Sequence, residues 1–154
     1  MNILWCGIEL SMTDAVSQMF PFHIPFDEFP VNCCGAGKGL GEWVVPDCVW
    51  VKPFAPFAVD RRIKISPACA VHDLGWELAV PTWDAFHEEN SLLFANIKSI
   101  IVAKTEEGSD ERKYANRYPA LYAHAVDTAG RKIFWNMKRE QGYDIPRSAA
   151  WLLS

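Results

Sequence analysis

No stretch of the chain approaches the ~20 uninterrupted apolar residues that a bilayer-spanning helix needs. Nor do the opening residues, MNILWCGIELSMTDAVSQMF, carry the basic, apolar and small-residue segments of a secretory signal. The expectation is a soluble protein without an export signal; its compartment stays open, with export or virion association as options. Basic charge is scarce too. The net charge is −4 and no basic stripe stands out, which disfavours nucleic acid as a partner. The densest positive cluster, DRRIK at 60–64, reads as a solvated loop rather than a phosphate or headgroup contact. Five cysteines leave at least one unpaired in a monomer, which excludes a fully disulfide-stapled framework. Internal repeats and low-complexity tracts are also lacking.

What is there fits one domain, residues 1–154. A chain of 154 residues that is 50% hydrophobic and 22% charged can bury a real core without staples. Ser11 or Thr13 is placed to cap a short helix within 11–20. Pro21, Pro25 and Pro30 then exclude regular helix from PFHIPFDEFP. Residues 32–60 read as largely irregular, with WVV (43–45) and CVWV (48–51) as short strands. Ser66 is placed to cap a helix that starts at Pro67 and runs through His72 to about Leu78. Thr82 caps the next, WDAFHEENSLLFANIKSIIVA, whose apolar stripe is Phe86, Leu93, Phe94, Ile97, Ile100 and Ile101. With Ser109 as a further cap, 110–141 reads as helix with a break near Pro119, ending at Gly142. The fold class is mainly α, with two antiparallel central helices and a further C-terminal helical region.

Asn90 falls on the apolar stripe. It sits in water at the stripe's edge, bonds to nearby backbone, or reaches a polar partner on a neighbouring helix; unpartnered burial would cost roughly 1–3 kcal/mol. The short AVPTW connection makes the helix that carries His72 its antiparallel neighbour, which favours looking for the partner there. His72 and Asp73 diverge by roughly 100° around their helix. One can face a reactive cavity while the other reaches a cation held by a loop alongside. The glycine-rich stretch NCCGAGKGLG before them can turn carbonyl oxygens inward, and calcium prefers oxygen ligands. GAGKGLG is no nucleotide loop, because it lacks the Lys-Ser/Thr ending and a βαβ context.

In this order, NCCGAGKG, VPD at 45–47, the Cys-x-x-His-Asp of CAVHD (Cys69 to Asp73), and Asn90 followed by Leu93, Phe94 and Ile97 resemble the secreted phospholipase A2 superfamily, in its prokaryotic and phage-type form. The similarity covers about residues 30–101, with a looser echo in YPALYAHAVDTAGRKIFW. It implies a phospholipase A2-like fold and calcium-dependent hydrolysis of the sn-2 ester of phospholipids, with a phospholipid or peripheral membrane surface as partner. His72 would be the general base and Asn90 would orient its imidazole, a role the animal enzymes give to aspartate. Asp73 and the carbonyls of Cys33, Gly35 and Gly37 would ligate Ca2+, the Gly35 amide would help hold the oxyanion, and Cys34 would be disulfide-bonded to Cys69.

The sequence departs from the animal pattern at Gly75 and Trp76, where cysteine and tyrosine are usual, although an indole N–H can replace the tyrosine hydroxyl as a donor. A neutral Asn90 stabilises an imidazolium less than a carboxylate would. These departures motivate a second reading, a catalytically weak or inactive binding or structural module, for example phage- or secretion-associated. A third places zinc on a set drawn from Cys33, Cys34, Cys48, Cys69 and His72. Cys6 and Cys48 have no assigned role, the tryptophans and phenylalanines are mostly core with some available for an interfacial rim, and His23, His87 and His124 read as surface or packing residues. Oligomeric state stays open.

Overall fold

The computed structural model describes residues 1–29, 48–51 and 62–154, and among these the chain is mainly helical. It opens with a hairpin that the sequence reading missed. Strands β1 (Asn2–Trp5) and β2 (Ile8–Ser11) pair antiparallel, Asn2 with Ser11 and Trp5 with Ile8. The two-residue turn has positive φ at Cys6 (50°) and Gly7 (77°), the geometry that matches strand twist in a tight hairpin. Trp5, Ile8 and Leu10 are buried, and the Trp5 indole donates to the Phe22 carbonyl at 3.0 Å.

Helix α1 (Asp14–Met19) is capped by Thr13, whose hydroxyl accepts from the Val16 amide. The proline-rich stretch that follows holds a single 3-10 turn, Phe26–Glu28. Phe20 at the end of α1 and Phe26 and Phe29 of this stretch gather on Trp5, at 5.4, 5.8 and 5.6 Å from it. Strands β3 (Cys48–Trp50) and β4 (Arg62–Lys64) form a second antiparallel pair. The expectation of a solvated loop at 60–64 is therefore corrected at 62–64. Lys64 Nζ donates to the carbonyls of Asp27 and Phe29 at 2.9 and 2.8 Å, fastening the 3-10 turn to β4, while Arg62 stacks over Trp50. WVV at 43–45 lies outside the described residues.

Helix α2 spans Ser66–Leu78. Ile65 occupies the cap position, so Ser66 is the first helical residue and does not cap; its hydroxyl is buried without a hydrogen-bond partner. Helix α3 (Trp83–Lys104) starts as expected, with the Thr82 hydroxyl accepting from the Ala85 amide at 3.2 Å. Of its expected stripe, Phe86, Leu93, Ile97, Ile100 and Ile101 are buried, but Phe94 is 38% exposed. Helix α4 (Asp110–Ala115) is capped by Ser109. The expected break falls at Asn116 and Arg117, leaving Pro119 in the first turn of α5 (Tyr118–Glu140), where its missing N–H breaks no helical bond. A short helix α6 (Arg147–Ala150) follows.

Cross-helix contacts fix the directions. His72 meets Asn90, and four residues on Trp76 meets Phe86, four residues back; α2 and α3 are antiparallel. By the same test α5 runs antiparallel to α3, since Trp83 meets Trp135 and Phe86 meets Phe134. Helix α3 is thus central, with α2, α5 and β2 packed around it. At the β2 end, Asn96 accepts from the Ser11 amide at 2.6 Å and donates to its carbonyl at 2.8 Å. Across the other side, the buried Lys138 Nζ donates to the Glu77 carbonyl at 2.9 Å and to Gln141 Oε1 at 3.0 Å. Burial holds this lysine below its ordinary pKa, opposed by Glu77. The bond joins the end of α2 to α5.

Candidate functional site

The four-residue link folds α3 back along α2, and position 90 on α3 lies opposite position 72 on α2. Both side chains are buried, His72 at 4% and Asn90 at 5% exposure. Asn90 Oδ1 lies 3.0 Å from His72 Nε2 and accepts from the Trp76 indole at 3.1 Å. An indole N–H only donates, so it identifies the atom facing inward as the amide oxygen. On the opposite side, Asn90 Nδ2 donates to Asp127 Oδ1 on α5 at 3.4 Å, which agrees with that orientation. His72 Nε2 must then carry the proton, and in the neutral imidazole Nδ1 is a bare lone pair.

Asp73 stands beside that lone pair. Its Oδ1 is 3.3 Å from His72 Nδ1, and its side chain is 46% exposed. Two acceptors at this separation are compatible when a shared proton or a bound cation joins them. A hard carboxylate oxygen at the mouth of the site suits calcium, so the described donor fits the ion that the sequence suggested. The other expected ligands, Cys33, Gly35 and Gly37, lie outside the described residues. Cys69 is disulfide-bonded, and its expected partner Cys34 also lies outside them. A disulfide sulfur is no thiolate ligand, which removes Cys69 from the zinc set. Cys6 is an exposed thiol at the hairpin tip.

Two glycines make the packing around the dyad. A Cβ at Gly75 would collide with the carboxyl of Glu89, and one at Gly130 on α5 would collide with the edge of the Trp76 ring. Each glycine costs about 1 kcal/mol of helix propensity, offset here by the close approach it permits. Glu89 is 3% exposed and its Oε2 has no hydrogen-bond partner. Burial raises its pKa from 4.5 to about 7, with His72 opposing and Glu88 adding. Near neutrality it is divided between neutral acid and carboxylate.

Behind Asn90 the network becomes charged. Asp127 Oδ1 accepts from His87 Nδ1 at 2.8 Å and Oδ2 from Arg131 at 3.0 Å. Partial burial alone would raise the Asp127 carboxyl; the hydrogen bonds from Arg131 and His87 together outweigh it and hold the group below the ordinary carboxylate range. A cleft of about 360 Å³ opens on this side, lined among others by His87, Phe94, His124 and Asp127. It accounts for the exposed Phe94. Trp5, Trp76 and Trp135 are core, whereas Trp151 is 64% exposed.

The sequence reading named His72, Asp73 and Asn90, and the fold brings them together. It missed Asp127 and Glu89. The signal for Asp127 was an acid four residues before Arg131 on a helix of its own, which reads as an ordinary surface pair. No protein-family model, curated protein or solved structure matches the chain. Among the described residues no helix is long and apolar enough to cross a membrane.

Proposed function

We propose that the chain is a calcium-dependent carboxylic ester hydrolase on a phospholipase A2-like fold, cleaving the sn-2 ester of glycerophospholipids presented at a membrane or micelle surface. One observation carries this reading: Asn90 Oδ1, 3.0 Å from His72 Nε2 and fixed by the Trp76 indole, leaves Nδ1 as a bare base next to the Asp73 carboxylate. Nδ1 takes the proton of a water attacking the ester carbonyl and returns it to the departing glycerol oxygen as the acyl C–O bond breaks, releasing the fatty acid. Nε2–H stays on Asn90 throughout, so the ring keeps one orientation as it becomes imidazolium. The Asp73 carboxylate, 3.3 Å from Nδ1, and Asn90 Oδ1 stabilise that charge from the two ends of the ring. Asp73 and the expected carbonyls of Cys33, Gly35 and Gly37 would hold calcium, which would supply Lewis-acid polarisation of the ester.

The test is fatty-acid release from phospholipid micelles and vesicles by the wild type and His72→Gln, with calcium or with a chelator. Glutamine can occupy the site but cannot accept the proton. Its rate should fall by about 10³-fold, and chelation should abolish wild-type turnover. Equal release under all conditions would overturn the assignment. The neutral Asn90 favours the second reading, a module that binds lipid or a protein without turnover; binding by wild type and variant alike, with no release from either, is its signature.

A further inference from the structure

We propose that Asp127 is a positioning residue for His72, acting through the side-chain amide of Asn90 and held in place by His87 and Arg131. This deepens the hydrolase reading and rests on it for its kinetic arm. The geometry is a line of donors and acceptors across three helices. His72 Nε2–H on α2 donates to Asn90 Oδ1 on α3, and Asn90 Nδ2–H donates to Asp127 Oδ1 on α5, at 3.0 and 3.4 Å.

An amide is a polarisable bridge. A carboxylate drawing on its N–H pushes electron density onto its oxygen, and hydrogen bonds in a chain strengthen one another; the His72–Asn90 bond is buried and the Asn90–Asp127 bond partly so. The charge missing from Asn90 is therefore present one residue further back. The bridge also has a fixed sense, because Asp127 cannot donate when ionised and the Trp76 indole cannot accept. Between them they forbid the flipped amide, which would turn Nδ2 toward His72 and leave Nε2 without an acceptor.

Asp127 is itself immobilised. His87 Nδ1 lies 2.8 Å from Oδ1, and Arg131 Nη2 lies 3.0 Å from Oδ2 while its Nε donates to the Asp127 carbonyl at 2.8 Å. A surface aspartate on a helix does not need three bonds from two side chains. Here two of them reach the carboxylate and aim one of its oxygens at the rear of the amide, while the third ties Arg131 to the Asp127 carbonyl.

The experiment is a double-mutant cycle on Asp127→Asn and Asn90→Asp, with Asp127→Glu as the conservative variant. In the wild-type background Asp127→Asn should lower kcat about tenfold with KM unchanged, and Asp127→Glu should recover part of the loss. In the Asn90→Asp background the carboxylate touches His72 directly, so adding Asp127→Asn should cost less than about threefold. A tenfold penalty in both backgrounds, or none in either, overturns the proposal. A second readout is independent of turnover: the 15N and 1H resonances of the His72 ring at fixed pH. The wild type should show a single Nε2–H form, and Asp127→Asn should move that proton upfield as its acceptor weakens. An unshifted resonance in a folded variant overturns the proposal even where hydrolysis is observed. A shifted one supports it even where the wild type releases no fatty acid, in which case only the hydrolase reading fails.

Discussion

Helix α3 buries two asparagines six residues apart, and they are satisfied in opposite ways. Asn96, fully buried, closes both ends of its amide on the backbone of one residue, Ser11. Asn90 meets no backbone group in its described bonds; its oxygen serves His72 and Trp76 and its nitrogen serves Asp127. A main-chain partner is the same whatever side chain the partner residue carries, so the Asn96 end is a structural rivet. Side-chain partners are chosen residue by residue, and at the Asn90 end they include an imidazole, a carboxylate and an indole. The same residue type on the same helix anchors a hairpin at one end and meets an imidazole at the other.

The largest effect should come from breaking the rivet. Asn96→Ala leaves the Ser11 amide and carbonyl without their partner and opens a small cavity, costing about 4 kcal/mol. Urea unfolding should show this loss, while kcat per folded molecule stays unchanged. A fall in kcat alongside an intact fold would dissolve the distinction between the two ends.

Next comes Glu89, which sharpens it by pH. The unfolded carboxyl ionises above 4.5 and the folded one above about 7, so between these values the folded state holds more protons and stability falls as pH rises. Below 4.5 ionisation of the group costs nothing; above 7 the full difference, roughly 3 kcal/mol, is lost. Glu89→Gln should therefore match the wild type at pH 4 and exceed it by up to about 3 kcal/mol at pH 8.5 in paired denaturation curves. No pH-dependent gap between the curves would place the titration elsewhere.

The smallest is Gly130→Ala. A methyl there meets the Trp76 ring, and overpacking of this kind costs about 2 kcal/mol against a gain of about 1 kcal/mol in helix propensity. The net loss of about 1 kcal/mol should come with a larger drop in kcat, because the displaced indole no longer holds Asn90. Tryptophan fluorescence would report the displacement. Unchanged kcat with a moved indole would show that Asp127 alone suffices to orient the amide.

Much of this arrangement was legible in the sequence. Thr13, Thr82 and Ser109 cap helices because a hydroxyl before a helical run satisfies an orphan N–H, a local rule that needs no tertiary information. The short connection made antiparallel neighbours of α2 and α3 the expectation, whereas the pairing of His72 with Asn90 was implied only by the family resemblance. The hairpin was not legible: its strands are four residues each and Leu4, 74% exposed, breaks the alternation. Phe94 was misplaced and Glu89 missed for one reason. A stripe assumes that apolar means inward, but α3 is covered by α2, α5 and β2, so even a glutamate on it is buried while Phe94 faces a cleft. Asp127 lay beyond reach because its partner is set by how α5 docks, and no local pattern encodes that.

The docking of α5 limits what can be transplanted. The motifs that first drew notice end near residue 101, yet Gly130 admits the indole, Asp127 backs the amide and Lys138 closes over the carbonyl of Glu77. A graft of residues 62–104 onto a foreign scaffold would deliver the imidazole with an open back wall, free to turn. The unit that must travel together is the trio of helices.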